Sequence, residues 1–212
     1  MIKQFTFNHF EVNCYLIVDP GSKQCAIVDP ACEASFEDAQ LTQYIEQEGL
    51  QVTHILFTHA HVDHIAGLRQ VCDHWKLPVT MHAEGRKLLK QAEAYGSLMG
   101  FAVDNMGDLE VQEINDDDVL KVGDIAVECR YVPGHCPGSM CFVIASEQAV
   151  ITGDALFHFS IGRTDLPGGD YPTLIDYLKR RILTLPDDYR VLPGHGIASQ
   201  IDKERKYNSF LA

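Results

Sequence analysis

The sequence predicts an α/β protein built from two similar halves packed sheet to sheet, with its functional residues at strand ends. Three observations predict it. Short apolar runs alternate with segments of helical spacing along the chain. One order occurs twice: a hairpin, a helix, then a strand that ends at a histidine. Ala26-Ile27-Val28-Asp29 leads through a helix to Phe57-Thr58-His59, and Val150-Ile151-Thr152-Gly153-Asp154 leads through a helix to Leu192-Pro193-Gly194-His195. The polar residues with metal-binding chemistry sit at those ends rather than inside the runs.

Taken in order, Tyr15–Val18 and Ala26–Val28 read as strands joined by a turn at Asp19-Pro20-Gly21-Ser22. Leu41, Tyr44, Ile45 and Glu48, closed by Gly49, mark an amphipathic helix. Val52–Thr58 is a buried strand followed by a His-rich loop. Ile65, Leu68, Cys72 and Trp75 mark a helix stopped before Pro78, residues 84–95 are helical, and Gly96–Asp108 is a loop. Ile125–Tyr131 alternates apolar and polar residues as a half-buried strand does, and Met140–Ala145 with Ala149–Thr152 forms a hairpin. Asp170 caps a helix with Pro172 near its start and Leu174, Leu178 and Ile182 on one face. Tyr189–Leu192 is a short strand running into Pro193-Gly194-His195-Gly196.

The chain has 212 residues and no Pro-, Gly- or Ser-rich linker, so residues 1–212 are read as one domain. Hydrophobic residues make up 46% and charged residues 22%, the balance of a soluble globular protein. No apolar run approaches the ~20 residues that span a bilayer, and Met1-Ile2-Lys3-Gln4-Phe5 lacks the apolar stretch of a signal peptide. A cytoplasmic location and no membrane partner are expected. Seventeen Lys and Arg stand against thirty Asp and Glu, a net charge of −13 that repels phosphate backbones and argues against nucleic acid. Seven Cys with no Cys-x-x-Cys read as reduced core thiols, with Cys136 the one candidate for reactivity.

The strongest signal is His59-Ala60-His61-Val62-Asp63-His64. Imidazole and carboxylate suit zinc, iron or manganese. Extended residues two apart point the same way, so His59 and His61 can grip one ion, while Asp63 and His64 lie past the turn and can face another. Crowded ligands would repel one another if protonated, a cost that a metal removes. Three further candidates are His135 in Val132-Pro133-Gly134-His135-Cys136-Pro137-Gly138-Ser139, Asp154 at a strand end, and His195 in a second Pro-Gly-His. Together they total seven ligands, the number expected for two ions sharing one bridging group.

The ordered set His59-x-His61-x-Asp63-His64, His135, Asp154 and His195 resembles the metallo-β-lactamase superfamily. The match runs from Asn13-Cys14-Tyr15 to the last Pro-Gly-His. Thr58, Pro133–Ser139 and Ile161–Asp170 make the chain most similar to the glyoxalase II-like (hydroxyacylglutathione hydrolase-like) branch. The resemblance implies an αββα four-layer sandwich with two divalent metal ions at one edge, zinc foremost and iron or manganese as alternatives. It implies His59, His61 and His135 on one ion, Asp63, His64 and His195 on the other, and Asp154 bridging. The longer glyoxalase II enzymes carry a C-terminal helical domain with glutathione-binding residues. This chain ends about one helix after His195, like a short form without that domain, and it has Cys136 where the family more often has Thr.

The expected activity is therefore hydrolysis of a small-molecule thioester, of the hydroxyacyl-glutathione type, by a hydroxide bridging the ions. The leaving thiolate, with a pKa near ~8.5, needs little help from a general acid. Asp63 and Asp154 are the expected catalytic carboxylates, and His158 and Arg163 the expected substrate contacts. The alternatives are a persulfide dioxygenase with one iron, a nuclease, a β-lactamase, which the missing secretory signal disfavours, and a metal-stabilised binding or sensor protein. His54 reads as a core or ligand-supporting residue, His9, His74 and His82 as structural or exposed, and Asp116-Asp117-Asp118 as a solvated turn without the spacing of a calcium loop.

Overall fold

The computed structural model describes residues 1–211. Its first half runs β1 (Ile2–Phe7), β2 (Val12–Val18), β3 (Gln24–Val28), α1 (Ser35–Gln47), β4 (Gln51–Leu56), α2 (Leu68–Trp75), β5 (Val79–His82), α3 (Arg86–Met99) and β6 (Val111–Ile114). The six strands form one sheet in chain order. The second half runs β7 (Val119–Val122), β8 (Ile125–Tyr131), β9 (Met140–Ile144), β10 (Ala149–Gly153), a small hairpin of β11 (Leu156–Phe157) and β12 (Ser160–Ile161), α4 (Tyr171–Tyr177), β13 (Arg190–Pro193), β14 (Ser199–Gln200) and α5 (Ile201–Tyr207). Its sheet has the order β14-β13-β10-β9-β8-β7.

The twofold pattern read from the sequence is present in the pairing. β2 and β3 are antiparallel, and β3 then pairs parallel with β4. A parallel neighbour needs a crossover, which α1 supplies. β9 and β10 are likewise antiparallel, β10 pairs parallel with β13, and α4 is the crossover.

Alternation of side chains sorts the strands into layers. Tyr15, Ile17, Ala26, Val28 and Leu56 of the first sheet meet Val127, Cys129, Phe142, Ile144 and Ile151 of the second in a core between the sheets. The opposite faces, Cys14, Leu16, Cys25, Ile27 and Ile55, pack under Leu41, Ile45, Leu68, Val71 and Leu89 of α1, α2 and α3. Cys141, Val143, Val150 and Val191 pack under Leu174, Leu178 and Ile201. The result is the expected αββα sandwich. Both faces of the central strands are buried, which is why β2, β9 and β10 are apolar but for Asn13 and Thr152. Each such Val, Ile or Leu contributes roughly 1.5–3 kcal/mol by leaving water.

The structure departs from the sequence reading at several boundaries. α3 continues to Met99, so the loop expected from Gly96 starts only at Gly100. Gly96 lies inside the helix because Val103 and the Phe101 carbonyl press against it where a Cβ would stand. α2 begins at Leu68 rather than near Ile65, because residues 62–67 are used in the turns that present Asp63 and His64. Asp116 and Asp117 are tied to Arg181 at 2.5 Å, so their turn is braced by a cation rather than merely solvated. All seven cysteines are free and buried, as expected of core thiols.

Two acidic side chains hold the frame with backbone hydrogen bonds. Glu37 in the first turn of α1 is buried and accepts from the N–H groups of Asn8 (2.7 Å), Glu33 (2.7 Å) and Ala34 (3.0 Å). Asn8 in turn donates to the Asp63 carbonyl at 2.8 Å. Asp19 accepts from Ser22 in its own turn and from the Asp124 N–H, which lies between β7 and β8 of the other sheet. Hydrogen bonds to a charged group contribute about 1.5–3 kcal/mol each. Glu37→Ala should therefore lower the unfolding free energy by about 2 kcal/mol or more in urea denaturation, whereas a neutral result would remove this role. The Ser22 hydroxyl and the surrounding N–H groups hold Asp19 at about 2, below its ordinary 3.8. Its contribution is thus present above that ordinary value and lost as pH falls toward 2. In Asp19→Asn the thermal midpoint should fall at pH 7 and match the parent at pH 2.

Candidate metal centre

Four loops deliver the candidate ligands. β4 ends at Leu56, and Phe57-Thr58 carry the chain into the loop holding His59, His61, Asp63 and His64. His135 sits in the loop after β8, closed by the hydrogen bond from Val132 N–H to the Ser139 carbonyl (2.9 Å). Asp154 follows β10 and His195 follows β13. The β13 loop is bound to the first sheet: Tyr15 donates its hydroxyl proton to the Pro193 carbonyl at 2.7 Å, and Asn13 donates to Pro193 (3.0 Å) and Gly196 (2.9 Å). Gly194 is required there, because a Cβ would press on His64 and on Asp154 Oδ1.

All seven candidates converge. The ligand atoms of His59, His61 and His135 lie within 4.8 Å of one another, as do those of Asp63, His64 and His195. His61 Nδ1 is 3.0 Å from His135 Nε2, and His64 Nε2 is 3.3 Å from His195 Nε2. Asp154 lies between the two sets. Its Oδ1 is 3.2 Å from His64 Nε2, and its Oδ2 is 3.6 Å from His195 Nε2 and 3.8 Å from His135 Nε2. Asp63 Oδ2 is 3.3 Å from His195 Nε2. Cys136 Sγ also falls within the first set, although it is engaged with the Ser139 hydroxyl at 3.3 Å and burial pushes its thiol up to about 12.

The far nitrogen of four imidazoles is already occupied. His64 Nδ1 donates to Asp29 Oδ2 (3.0 Å), His59 Nδ1 to the Thr58 hydroxyl (3.0 Å), His135 Nδ1 to the Arg163 carbonyl (2.8 Å) and His195 Nδ1 to the Phe10 carbonyl (2.9 Å). Such bonds fix the tautomer and aim Nε2 inward, as ligating histidines require. His61 instead presents Nδ1. Asp29 is the residue that sequence reasoning passed over. It is fully buried, accepts from Thr58 N–H (2.6 Å) and the Thr58 hydroxyl (2.8 Å), and so supports His59 and His64 together. The available signal was an acidic residue closing an apolar strand just before Pro30.

The electrostatics are those of a site missing positive charge. Burial, then the neighbouring imidazoles, hold His59 well below its ordinary value, and burial and His135 push His61 down to about 4. Burial also lowers His135. On His64 burial is outweighed by the nearby carboxylates of Asp154 and Asp63 and by its bond to Asp29, which raise it well. His195 is raised in the same way, against burial, by Asp63 and Asp154. Both carboxyls are lowered by His64 and the other imidazoles in spite of burial. His59 Nε2 and Asp154 Oδ1 are buried without a hydrogen-bond partner, a costly state that a coordinated ion relieves. This donor set of neutral imidazoles and ionised carboxylates fits divalent metal ions.

A cavity of about 420 Å³ opens above this floor. His61, Asp63, His135, Asp154 and His195 reach it, and Phe10, Ala60, Val62, Leu88, Tyr95, Met99, Phe157, Leu166, Pro167 and Arg163 form its walls. Of the two expected substrate contacts, Arg163 lines the cavity. His158 does not. It lies in the turn of the β11–β12 hairpin with its ring 4.0 Å from that of Phe159, and the neighbouring Phe157 faces the cavity instead. His54 is half-buried against Thr53, away from the ligand clusters.

The fold and the two donor sets are those of a metal-binding αββα protein. A profile of the metallo-β-lactamase superfamily matches residues 8–195, and the chain belongs to that superfamily. It is 36% identical to the probable metallo-hydrolase YqgX of Bacillus subtilis, over 95% of this chain and 92% of that one. It is 35% identical to the hydroxyacylglutathione hydrolase GloC of Haemophilus influenzae, over 95% and 93%. It is also 32% identical to the human mitochondrial persulfide dioxygenase ETHE1, over 92% of this chain and 69% of that protein. Among solved structures, the BLEG-1 B3 metallo-β-lactamase aligns over the whole of both chains with a TM-score of 0.89 at 31% identity. TTHA1623, solved in a di-iron-bound form, aligns over 99% of this chain and 100% of that one with a TM-score of 0.86, also at 31%. Among the described residues no helix is long and apolar enough to cross a membrane.

Supporting residues of this kind typically change metal affinity about 10–100-fold. Asp29→Ala should therefore leave the chain folded by circular dichroism yet lose metal to a competing chelator at a concentration at least tenfold lower. Unchanged retention would show that Asp29 does not support the site.

Proposed function

We propose that the protein is a metal-dependent hydrolase of thioesters, with hydroxyacyl-glutathione-like thioesters as the starting substrate class. The observation that carries this reading is the convergence of five imidazoles and two carboxylates, in two sets joined by Asp154, on the floor of a cavity. His59, His61 and His135 would hold one divalent ion, Asp63, His64 and His195 a second, and Asp154 both, with zinc foremost and iron or manganese as alternatives. When bound, such a pair supplies Lewis acidity and an ionised water at neutral pH.

The chain's own residues do the rest. The bonds from Nδ1 of His59, His64, His135 and His195 leave Nε2 as the lone-pair nitrogen of each neutral ring and aim it inward. Asp63 reaches the cavity with Oδ2 facing His64 and His195, and would orient the attacking water and accept its proton on its other oxygen. Phe157, Leu166 and Pro167 restrict bulk water around the reacting carbonyl. A thiolate departs without a dedicated general acid, which suits a cavity whose other wall residues are apolar apart from Tyr95 and Arg163.

The likeness to GloC supports hydrolysis. The likeness to ETHE1 gives persulfide oxidation as the second reading. Elemental analysis of the purified protein, paired with assay of S-lactoylglutathione and of oxygen uptake with glutathione persulfide, separates the two. Hydrolysis with about two metals per chain is expected. One iron per chain with oxygen uptake and no hydrolysis would overturn the proposal. In the metal-replete protein Asp63→Ala should reduce kcat by at least 10²-fold, the scale of a positioned acid–base group, and near-native kcat at full metal content would reject the role given to Asp63.

A further inference from the structure

The floor of the cavity is polar but its walls are not, and the walls have a structure of their own. In α3, Leu89, Ala92 and Gly96 face the core. Leu88, Tyr95 and Met99, spaced seven and four apart, share a second face of the helix and turn to the cavity. Tyr95 is 38% exposed, Met99 43% and Phe10 39%. Phe10 also packs on Phe101, with ring centroids 5.4 Å apart, and Leu88 on the core, but large apolar side chains clustered this openly around one concave site mark a surface that a ligand covers. Among the described residues the one Lys or Arg side chain lining the cavity is Arg163, and its guanidinium is engaged twice at 2.8 Å by Asp165. A carboxylate or phosphate placed against α3 would therefore lose its water without gaining a free partner.

We propose that this wall binds the acyl arm of the substrate and selects an uncharged, apolar one, an aliphatic chain or aromatic ring longer than lactoyl, while the polar thiol carrier stays outside the cavity. This rests on the thioesterase reading and deepens it. The specificity residues are Leu88, Tyr95, Met99 and Phe10. Each methylene transferred from water to such a wall changes affinity about fourfold, so selection acts through KM.

The test uses metal-loaded protein and a series with one carrier: S-acetyl-, S-lactoyl-, S-butyryl- and S-hexanoylglutathione. The expected result is a kcat/KM for the hexanoyl thioester at least tenfold above the lactoyl one, with most of the change in KM. Met99→Lys should remove at least tenfold of that preference and Met99→Leu restore it, whereas Leu98→Lys, 83% exposed and outside the cavity, should behave as the parent. A flat series, or a preference for lactoyl, overturns the proposal. Binding of the uncharged dye Nile red gives a readout independent of turnover. The parent and Leu98→Lys should bind it with enhanced, blue-shifted emission, and Met99→Lys at least fivefold more weakly. If no thioester is hydrolysed but the dye distinguishes these variants, the thioesterase reading fails while the apolar wall stands. Equal dye binding by all three proteins overturns the wall.

Discussion

Five imidazoles and two carboxylates occupy one largely buried volume, and with the rings neutral the two carboxylates leave that volume negatively charged. That constraint explains most of what surrounds them. Each histidine that presents Nε2 has its other nitrogen spent on a fixed acceptor, so the inward nitrogens have no local alternative partner. The acceptors come from places the chain must hold rigidly: Asp29 at the end of β3, a main-chain carbonyl at Arg163, and another at Phe10. The sandwich supplies that rigidity, because β4, β8, β10 and β13 are packed on both faces or joined across the sheets before they release their ligands.

Much of this was legible in the sequence, for reasons that can be named. The 59–64 cluster needed no fold to be recognised, because imidazoles two apart on extended backbone already share a direction. The repeated order of hairpin, helix and strand was visible because each crossover helix is amphipathic and each central strand apolar. β5, β6 and β7 were missed since four residues carry too little periodicity, and β1 because its outer positions are polar. The length of α3 was missed because Gly96 reads as a stop signal, whereas here it is a point of close approach for Phe101 and Val103. Asp29 escaped notice because its role is entirely relational: only the fold brings it beneath His64 and Thr58. His158 does not line the cavity for the converse reason, since nearness in sequence to Asp154 does not decide that the chain turns at His158 and leaves Phe157 facing the cavity.

Floor and walls make separate contributions. The floor holds all seven donor residues and lies within the stretch that the superfamily profile matches. The walls, drawn from α3, the Phe10 turn and the β11–β12 hairpin, determine what may stand beside it. Relatives described as a hydrolase and as a persulfide dioxygenase both align over more than nine-tenths of the chain.

The central claim is that the seven side chains hold two cations joined through Asp154. Crystals grown with zinc, measured on both sides of the zinc absorption edge, test it most directly. The account predicts two anomalous peaks on the cavity floor, one among His59, His61 and His135 and one among Asp63, His64 and His195, with the Asp154 carboxylate between them. A single peak at full zinc occupancy, or two peaks with Asp154 turned away from both, would contradict it.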